Sequence, residues 1–307
     1  MFLKIISNNN LVGKLFFVVF FIVVICLKFL FSNSEHLNSN EITTIFTNSN
    51  IYIVLNFIFL FFISIGLNNM IYEKGVIKQN NTLVAIVFFT IHPFLYDFDL
   101  LIIGVFILFF LENIIEIFFN DKINNQVFYA AFLISCVSLF NFYLLFYSFL
   151  PLFFILLFKQ DNLRYFVIYL LGIIVPYFCM FFLELLFDFK ISNHINLSNM
   201  LLVQTQDLKF FLPLIFVFVF SIIELFNWMN KKSIRSRSSF FIIIFFSIFT
   251  LLFFSLRIIS FSYFVLLFSF PASLFLANYY LYSKRVFIKH FLFLIFTLSM
   301  FFSYYNF

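Results

Sequence analysis

The sequence is poor in charged residues, in glycine and in tryptophan. Only 10% of its 307 residues are Asp, Glu, Lys or Arg, and it contains five glycines and one tryptophan. A soluble globular domain has about 25% charged residues, so this composition excludes one. The sequence has no glycine-rich phosphate loop, dinucleotide fingerprint, nucleophile elbow or zinc-protease helix motif. We therefore expect no bound cofactor of the kind that soluble enzymes use.

Cysteine is also scarce, with three residues that lie singly in separate apolar runs: Cys26, Cys136 and Cys179. An odd number without paired spacing predicts neither a disulfide framework nor a metal site. The net charge of +5 comes from basic residues that are spread over short segments between apolar runs. Such a distribution reports membrane topology, and we predict no nucleic-acid partner.

Hydrophobic side chains are what the chain has in abundance, at 64% of its residues. This content predicts an all-α, polytopic transmembrane helical bundle, because a helix satisfies its own backbone hydrogen bonds in lipid. With no linker and no convincing internal repeat, we expect one integral membrane domain over residues 1–307. The 61 phenylalanines occur with abundant Ile, Asn and Tyr, as an AT-rich coding sequence would produce. Phe is then the general packing and lipid-facing residue.

Apolar runs of roughly 20 residues can cross a bilayer, and polar groups end some of them sooner. On this basis the sequence predicts about eleven transmembrane helices: 15–31, 51–67, 83–94, 100–119, 127–140, 143–158, 163–187, 210–228, 239–256, 261–281 and 287–304. No small-residue cleavage site follows the first run, so we expect it to be a retained helix. Asn141 is either a tight turn between two spans or a polar residue in one bent helix.

The basic residues test this topology, because they gather on the cytoplasmic side of membrane proteins. With the N-terminus inside, the inner segments receive Lys4, Lys14, Lys74, Lys78, Lys122, Lys159, Arg164, Lys231, Lys232, Arg235, Arg237, Lys284, Arg285 and Lys289. The outer segments receive Lys190, Lys209 and Arg257, with Lys28 at the outer end of its helix. One miscounted span would mix the two sets, so the separation predicts an N-in, C-out protein of the inner membrane.

The stretch 91–119 carries more ionisable groups than a lipid-embedded helix usually has. His92, Asp97 and Asp99 precede its apolar part, and Glu112 and Glu116 follow it. One interpretation places these acids at the two membrane interfaces. The other places Asp97 or Asp99 in an outward-facing cavity near His92, as a general base or a metal ligand. A metal role is not specified by this spacing.

Two further residues are candidates on the outer side. Glu41 lies in an Asn- and Ser-rich loop that is a solvated connector unless the fold brings it toward Asp97 or Asp99. Arg257, in the segment SLRIIS, is one of few outer cations. It is either a snorkelling residue at the headgroups or a guanidinium fork for a lipid phosphate.

Four segments together resemble a known family: NNMIYEKGVIKQNNTLVAIVFF, NNQVFYAAFLISCVSLFNFYLLFYSFLPLFFILLF, GIIVPYF and FSFPASLFLANYYLYSKR. It is an uncharacterised family of multi-pass inner-membrane proteins of Bacteroidota, known as a domain of unknown function. The resemblance implies the inner membrane of an AT-rich bacterium, and it brings no established activity. We therefore expect a membrane protein of cell-envelope biogenesis with membrane lipids as its surroundings.

The chain also has a remote likeness to C-type-fold membrane glycosyltransferases, which run N-in through a similar number of helices. The likeness implies that Glu41 and Asp97 or Asp99 are the outer acidic residues and that Arg257 contacts a lipid phosphate. An outer carboxylate would then act on a sugar acceptor while a polyprenyl phosphate leaves. This chain departs from the pattern in its short first outer loop and its lack of a large outer domain. A non-enzymatic membrane scaffold or assembly partner is the alternative, and a transporter is a third class.

Overall fold

The structure, a computed structural model, describes residues 18–19, 22, 49–77, 81–92, 98–119, 123–158, 162–187, 205–229 and 234–306. The regular elements in these ranges are all helices: α1 (Ser49–Glu73), α2 (Leu83–Ile91), α3 (Phe98–Phe119), α4 (Asn124–Phe140), a 3-10 helix (Phe142–Ser148), α5 (Phe149–Phe158), α6 (Asn162–Phe187), α7 (Thr205–Met229), α8 (Ile234–Ser255), α9 (Phe261–Tyr282) and α10 (Val286–Asn306). The predicted all-α class is confirmed for this part of the chain.

Each predicted helix from 51–67 onward overlaps an observed one, while the predicted helix 15–31 lies almost wholly outside the described residues. Five observed helices are long and apolar enough to cross a membrane: Val54–Glu73, Asp99–Phe118, Leu163–Leu186, Ser236–Ser255 and Phe261–Tyr282. Shorter apolar helices account for four more described segments. The molecule is thus a helical bundle with several helices suited to a bilayer.

Asn141 ends α4 and reverses the chain. Its backbone is extended, and its side-chain oxygen accepts a hydrogen bond from the Tyr143 N–H at 3.1 Å. The following helices return along the bundle, because Phe154 of α5 packs against Phe118, close to where α4 began. Of the two interpretations of Asn141, the turn is therefore correct.

Successive helices run in opposite directions. Between α1 and α3 the contacting residues increase together, so these helices are parallel: Ile63 with Gly104, Gly66 with Leu108 and Lys74 with Glu112. The helices α4 and α6 are parallel by the same criterion: Ser135 with Ile173 and Ser138 with Tyr177. Between α8 and α9 the numbers change in opposite senses: Phe240 with Phe275 and Phe254 with Phe264. This is the arrangement that repeated membrane crossings require.

The helix α9 is the centre of the bundle. Every residue from Phe264 to Tyr280 is buried, on all sides of the helix. It packs against α2, α7 and α8, and the site of Gly104 in α3 lies against Leu266. The helix α6 is peripheral by comparison, because only 17% of the residues in its most apolar part are buried. Its apolar residues are therefore left for lipid.

The bundle has two ends, which we name by one cation each. The Lys74 end contains the end of α1, the start of α2, the end of α3, the start of α8 and the end of α9. The Arg257 end contains the start of α3, the end of α8 and the start of α9. Both names follow from the chain directions above.

Candidate functional site

The predicted outer site is described in part. Asp99 lies in the first turn of α3 and is partly buried, while Arg257 lies in the turn between α8 and α9 and is exposed. Both belong to the Arg257 end, since α3 and α9 run side by side from that end. Glu41 and Asp97 lie outside the described residues. Their convergence with Asp99 and Arg257 stays a prediction.

Arg257 occupies a backbone conformation that favours glycine, with φ of 56°. The Ile258 N–H donates to the Phe253 carbonyl at 2.9 Å, and the Arg257 N–H donates to the Phe254 carbonyl at 3.0 Å. These two bonds close α8 in a Schellman motif whose left-handed residue is usually Gly. An arginine there is strained by about 1–2 kcal/mol relative to glycine. Strain at an exposed charged residue points to a use for the side chain.

His92 ends α2 inside the bundle. It has no solvent exposure, and its backbone N–H donates to the Phe89 carbonyl at 3.4 Å. Its ring meets the Phe88 ring edge-on, with the centroids 4.6 Å apart. Residues 93–97, which connect His92 to α3, lie outside the described ranges. His92 is thus an enclosed histidine on a buried helix, four residues along the chain from Phe88.

The two glutamates of the stretch 91–119 belong to an ion-pair cluster at the Lys74 end. Lys74 Nζ lies 3.0 Å from Glu112 Oε1 and also bonds Glu116 Oε1. Burial by itself lowers the pKa of Lys74, but the hydrogen bonds to Glu116 and Glu112 outweigh it, so the pKa is raised. The structure therefore places both glutamates at one end of the bundle, joined to the segment that follows α1.

The sequence predicts Glu112 and Glu116 only as interfacial residues and does not pair them with Lys74. A signal was present, because the two glutamates are four residues apart and so share one face of a helix. The partner was not visible, since it lies 42 residues before Glu116 in the chain.

Buried polar residues near the start of α2 were also missed. Asn68, Thr82 and Asn278 each have a buried side-chain oxygen that finds no hydrogen-bond partner within the described ranges. The sequence does mark these positions, because each is a polar residue inside or beside an apolar helical run. The segments are LNNM, NNTL and LANYY. In a helical bundle such residues need partners, because an unpaired buried oxygen costs about 1–3 kcal/mol.

Metal ligands and further carboxylates are the remaining candidates among the described residues. No group of three or more His, Cys, Asp or Glu residues in that part of the chain is placed to hold a metal ion. Glu184, in the last turn of α6, is another half-buried carboxylate at the Arg257 end, but it sits on the peripheral helix. Asp99 is closer to the core, since α3 packs against both α1 and α4.

No protein-family model, curated protein or solved structure matches this chain. The geometry of its residues therefore carries the functional argument.

Proposed function

We propose that the chain is a multi-pass protein of the bacterial inner membrane that serves cell-envelope biogenesis. The activity that we propose for it is that of a glycosyltransferase, which uses a polyprenyl-phosphate-linked sugar at the periplasmic face. The observation that carries this proposal is the placement of Asp99 and an exposed, strained Arg257 at one end of the bundle. A carboxylate on one helix and a guanidinium in a turn at the same end of the bundle are the two groups that such a transfer needs.

The proposed topology has about eleven crossings, with the N-terminus in the cytoplasm and the C-terminus outside. Its support is the charge difference between the ends. Seven of the cations within the described helices and turns belong to the Lys74 end: Lys74, Arg164, Arg235, Arg237, Lys284, Arg285 and Lys289. Lys209 and Arg257 belong to the opposite end. Basic residues mark the cytoplasmic side, so the Arg257 end faces the periplasm.

The reaction follows from the chemistry of the two groups. Asp99, or Asp97 beside it, removes the proton from the acceptor hydroxyl. The acceptor oxygen then forms a bond to the anomeric carbon, and the bond from that carbon to the phosphate oxygen breaks. The lipid phosphate leaves with the electron pair, and Arg257 stabilises its negative charge by bidentate hydrogen bonds. Glu41 is the third proposed acid of this site.

The lipid environment fits Arg257. Its turn lies between two apolar helices, and the proposed topology puts such a turn at the membrane surface, where the phosphates of lipid carriers are found. Among the described residues it has no ion-pair partner, so its guanidinium is available to an anion. Binding of an anion then explains why an Arg occupies a position whose backbone conformation favours Gly.

The test is complementation of a deletion strain with Asp97→Asn, Asp99→Asn, Glu41→Gln and Arg257→Lys, scored by the envelope glycans. We expect Asp99→Asn or Asp97→Asn to lower transfer by about 100-fold or more. Arg257→Lys keeps the charge but loses the planar fork, so a smaller loss is expected.

Glu184→Gln is the matched control, because it removes a carboxylate at the same end from a peripheral helix. Membrane abundance of every variant is measured in parallel by immunoblot. Unimpaired glycans from the three carboxylate variants together would rule out the transferase and leave the scaffold interpretation.

A further inference from the structure

The start of α2 is unusual for a membrane bundle. The helix has nine residues, all of them buried, and so spans about 13 Å of a hydrocarbon core of about 30 Å. Its first turn therefore begins inside the protein. The Asn81 side chain accepts a hydrogen bond from the Leu83 N–H at 2.9 Å. The N–H groups of Val84 and Ala85 fall outside the hydrogen-bond ladder of the helix itself.

Several uncharged side chains near this level of the bundle have oxygens without a hydrogen-bond partner among the described residues, and Asn68, Thr82 and Asn278 are three of them. Asn68 and Asn278 are 8% and 2% exposed. Thr82 is the N-cap of α2, yet its hydroxyl forms no cap and is likewise buried without a partner. Each unpaired buried oxygen costs free energy of folding unless a bound molecule forms a hydrogen bond with it.

The register of the helices brings the two asparagines to the start of α2. The Tyr72 hydroxyl is hydrogen-bonded to the Asn81 backbone and lies within electrostatic range of Tyr282. The end of α1, the start of α2 and the end of α9 therefore meet. Asn68 and Asn278 each precede one of these tyrosines by four residues. Each asparagine thus lies one turn deeper on the same face of its helix.

The hydrogen-bonding groups at this site select the chemistry of its ligand. The asparagine and threonine oxygens need donors, whereas the N–H groups in the first turn of a helix have no acceptor within the helix and need one elsewhere. A cation satisfies only the oxygens, and it is disfavoured by the positive end of the α2 dipole. An anion satisfies only the N–H groups. A hydroxyl group both donates and accepts, and it needs no charged partner.

We propose that the start of α2, with Asn68, Thr82 and Asn278, is a binding site for a small neutral ligand rich in hydroxyl groups, a sugar or polyol. The site lies at the Lys74 end, on the side opposite Asp99 and Arg257. It is therefore separate from the proposed transfer site and does not depend on it.

The experiment measures the thermal unfolding of the full-length protein in lipid nanodiscs. The probes are glycerol, myo-inositol, glucose and N-acetylglucosamine up to 100 mM. Separate nanodiscs contain monoglucosyl diacylglycerol, which distinguishes a lipid headgroup from a free sugar. Sodium chloride, potassium chloride and sodium gluconate at equal ionic strength report cation or anion binding. We expect at least one hydroxyl probe to raise Tm by about 2–3 °C in a saturable manner.

Two substitutions are expected to abolish this rise in Tm. Asn278→Leu and Asn68→Leu each replace an unpaired oxygen with a methyl group in a side chain of the same branched shape, so they abolish the shift without leaving a buried polar atom unpaired. Ser269→Ala on α9 is the control, since its buried hydroxyl is already bonded to the Leu266 carbonyl at 2.6 Å. It retains the full shift. If Asn278→Leu fails to fold, Asn278→Ser serves in its place.

Three outcomes would overturn the proposal. The first is a shift with sodium or chloride and none with the hydroxyl probes. The second is a probe-induced shift that both asparagine variants retain. The third is the absence of any shift, which assigns the site to ordered water alone.

Discussion

The two ends of the bundle close a helix in the same way but with different residues. At the Lys74 end, Gly75 has φ of 65°, and the Val76 N–H donates to the Ile71 carbonyl. At the other end Arg257 has φ of 56° and the same pair of closing bonds. The first position uses the residue that this geometry favours, and the second does not. Because the backbone geometry is the same at both positions, ending the helix does not itself require an arginine. Arg257 therefore points to a use other than closing α8.

The two ends also differ in whether the cation that names each end is paired. Lys74 is neutralised by Glu112 and Glu116, and this ion-pair cluster joins the segment after α1 to α3. Arg257 has no ion-pair partner in the described part of the chain and is exposed. The comparison teaches that the Lys74 cluster is structural, whereas the Arg257 turn presents a cation to the surroundings. Four substitutions or conditions test this difference.

Lys74→Met is expected to have the largest effect on stability. It leaves two carboxylates, each 28% exposed, unpaired and four residues apart on one helix. We expect a loss of about 2 kcal/mol in the free energy of unfolding, below the value for a fully buried pair because of that exposure. Reversible unfolding in detergent measures it.

Lys284→Met is the matched control, because Lys284 is an exposed cation at the same end, and we expect a change of under about 0.5 kcal/mol. Adding Glu112→Gln and Glu116→Gln to Lys74→Met is expected to restore part of the loss. A Lys74→Met protein as stable as the wild type would contradict a structural role for the cluster.

The second prediction concerns alkaline pH. The pKa of Lys74 is raised above its ordinary value of 10.5, so the folded state binds this proton more tightly than the unfolded state. Its contribution is complete below pH 10.5 and is lost as pH rises through the raised pKa. The stability difference between wild type and Lys74→Met is therefore constant from neutral pH to about pH 9.5 and shrinks above about pH 10.5. A difference that already declines near pH 8 would contradict this assignment.

Gly75→Ala is expected to have an intermediate effect. A Cβ at this position meets no atom within 4 Å, so the cost comes from the left-handed backbone alone. We expect a loss of about 1 kcal/mol in the free energy of unfolding. Gly75→Asn, which tolerates this conformation better, should lose less. Equal losses for the two variants would mean that the positive φ is not the cause.

Arg257→Gly is expected to have the smallest effect on stability and the opposite sign. It relieves backbone strain but adds entropy to the unfolded chain, so we expect a net gain of about 0.5 kcal/mol. The same variant should lose retention on vesicles that contain a polyprenyl phosphate, compared with vesicles of neutral lipid. A destabilised Arg257→Gly protein would show that the arginine stabilises the turn, and the comparison between the two ends would fail.

Much of the fold was predictable, because helices in lipid follow from long apolar runs with polar interruptions. The boundary at Asn141 is an example: the sequence marked the position but left two interpretations. The packing of Phe154 against Phe118 decided between them. The candidate outer site was predictable only as residue types, since Asp99 and Arg257 belong to distant segments. Their placement at one end depends on the direction of every helix between them.

The sequence by itself determined the all-helical class, the helix positions and the separation of cations into two sets. These properties depend on local composition and on the polarity of the membrane. The tertiary structure alone decided which charges are paired and which polar groups are enclosed. Lys74 meets glutamates that follow it by 38 and 42 residues, and the helices that carry Asn68 and Asn278 pack against α2 from opposite halves of the chain. Such contacts depend on how helices pack, and no local pattern specifies their partners.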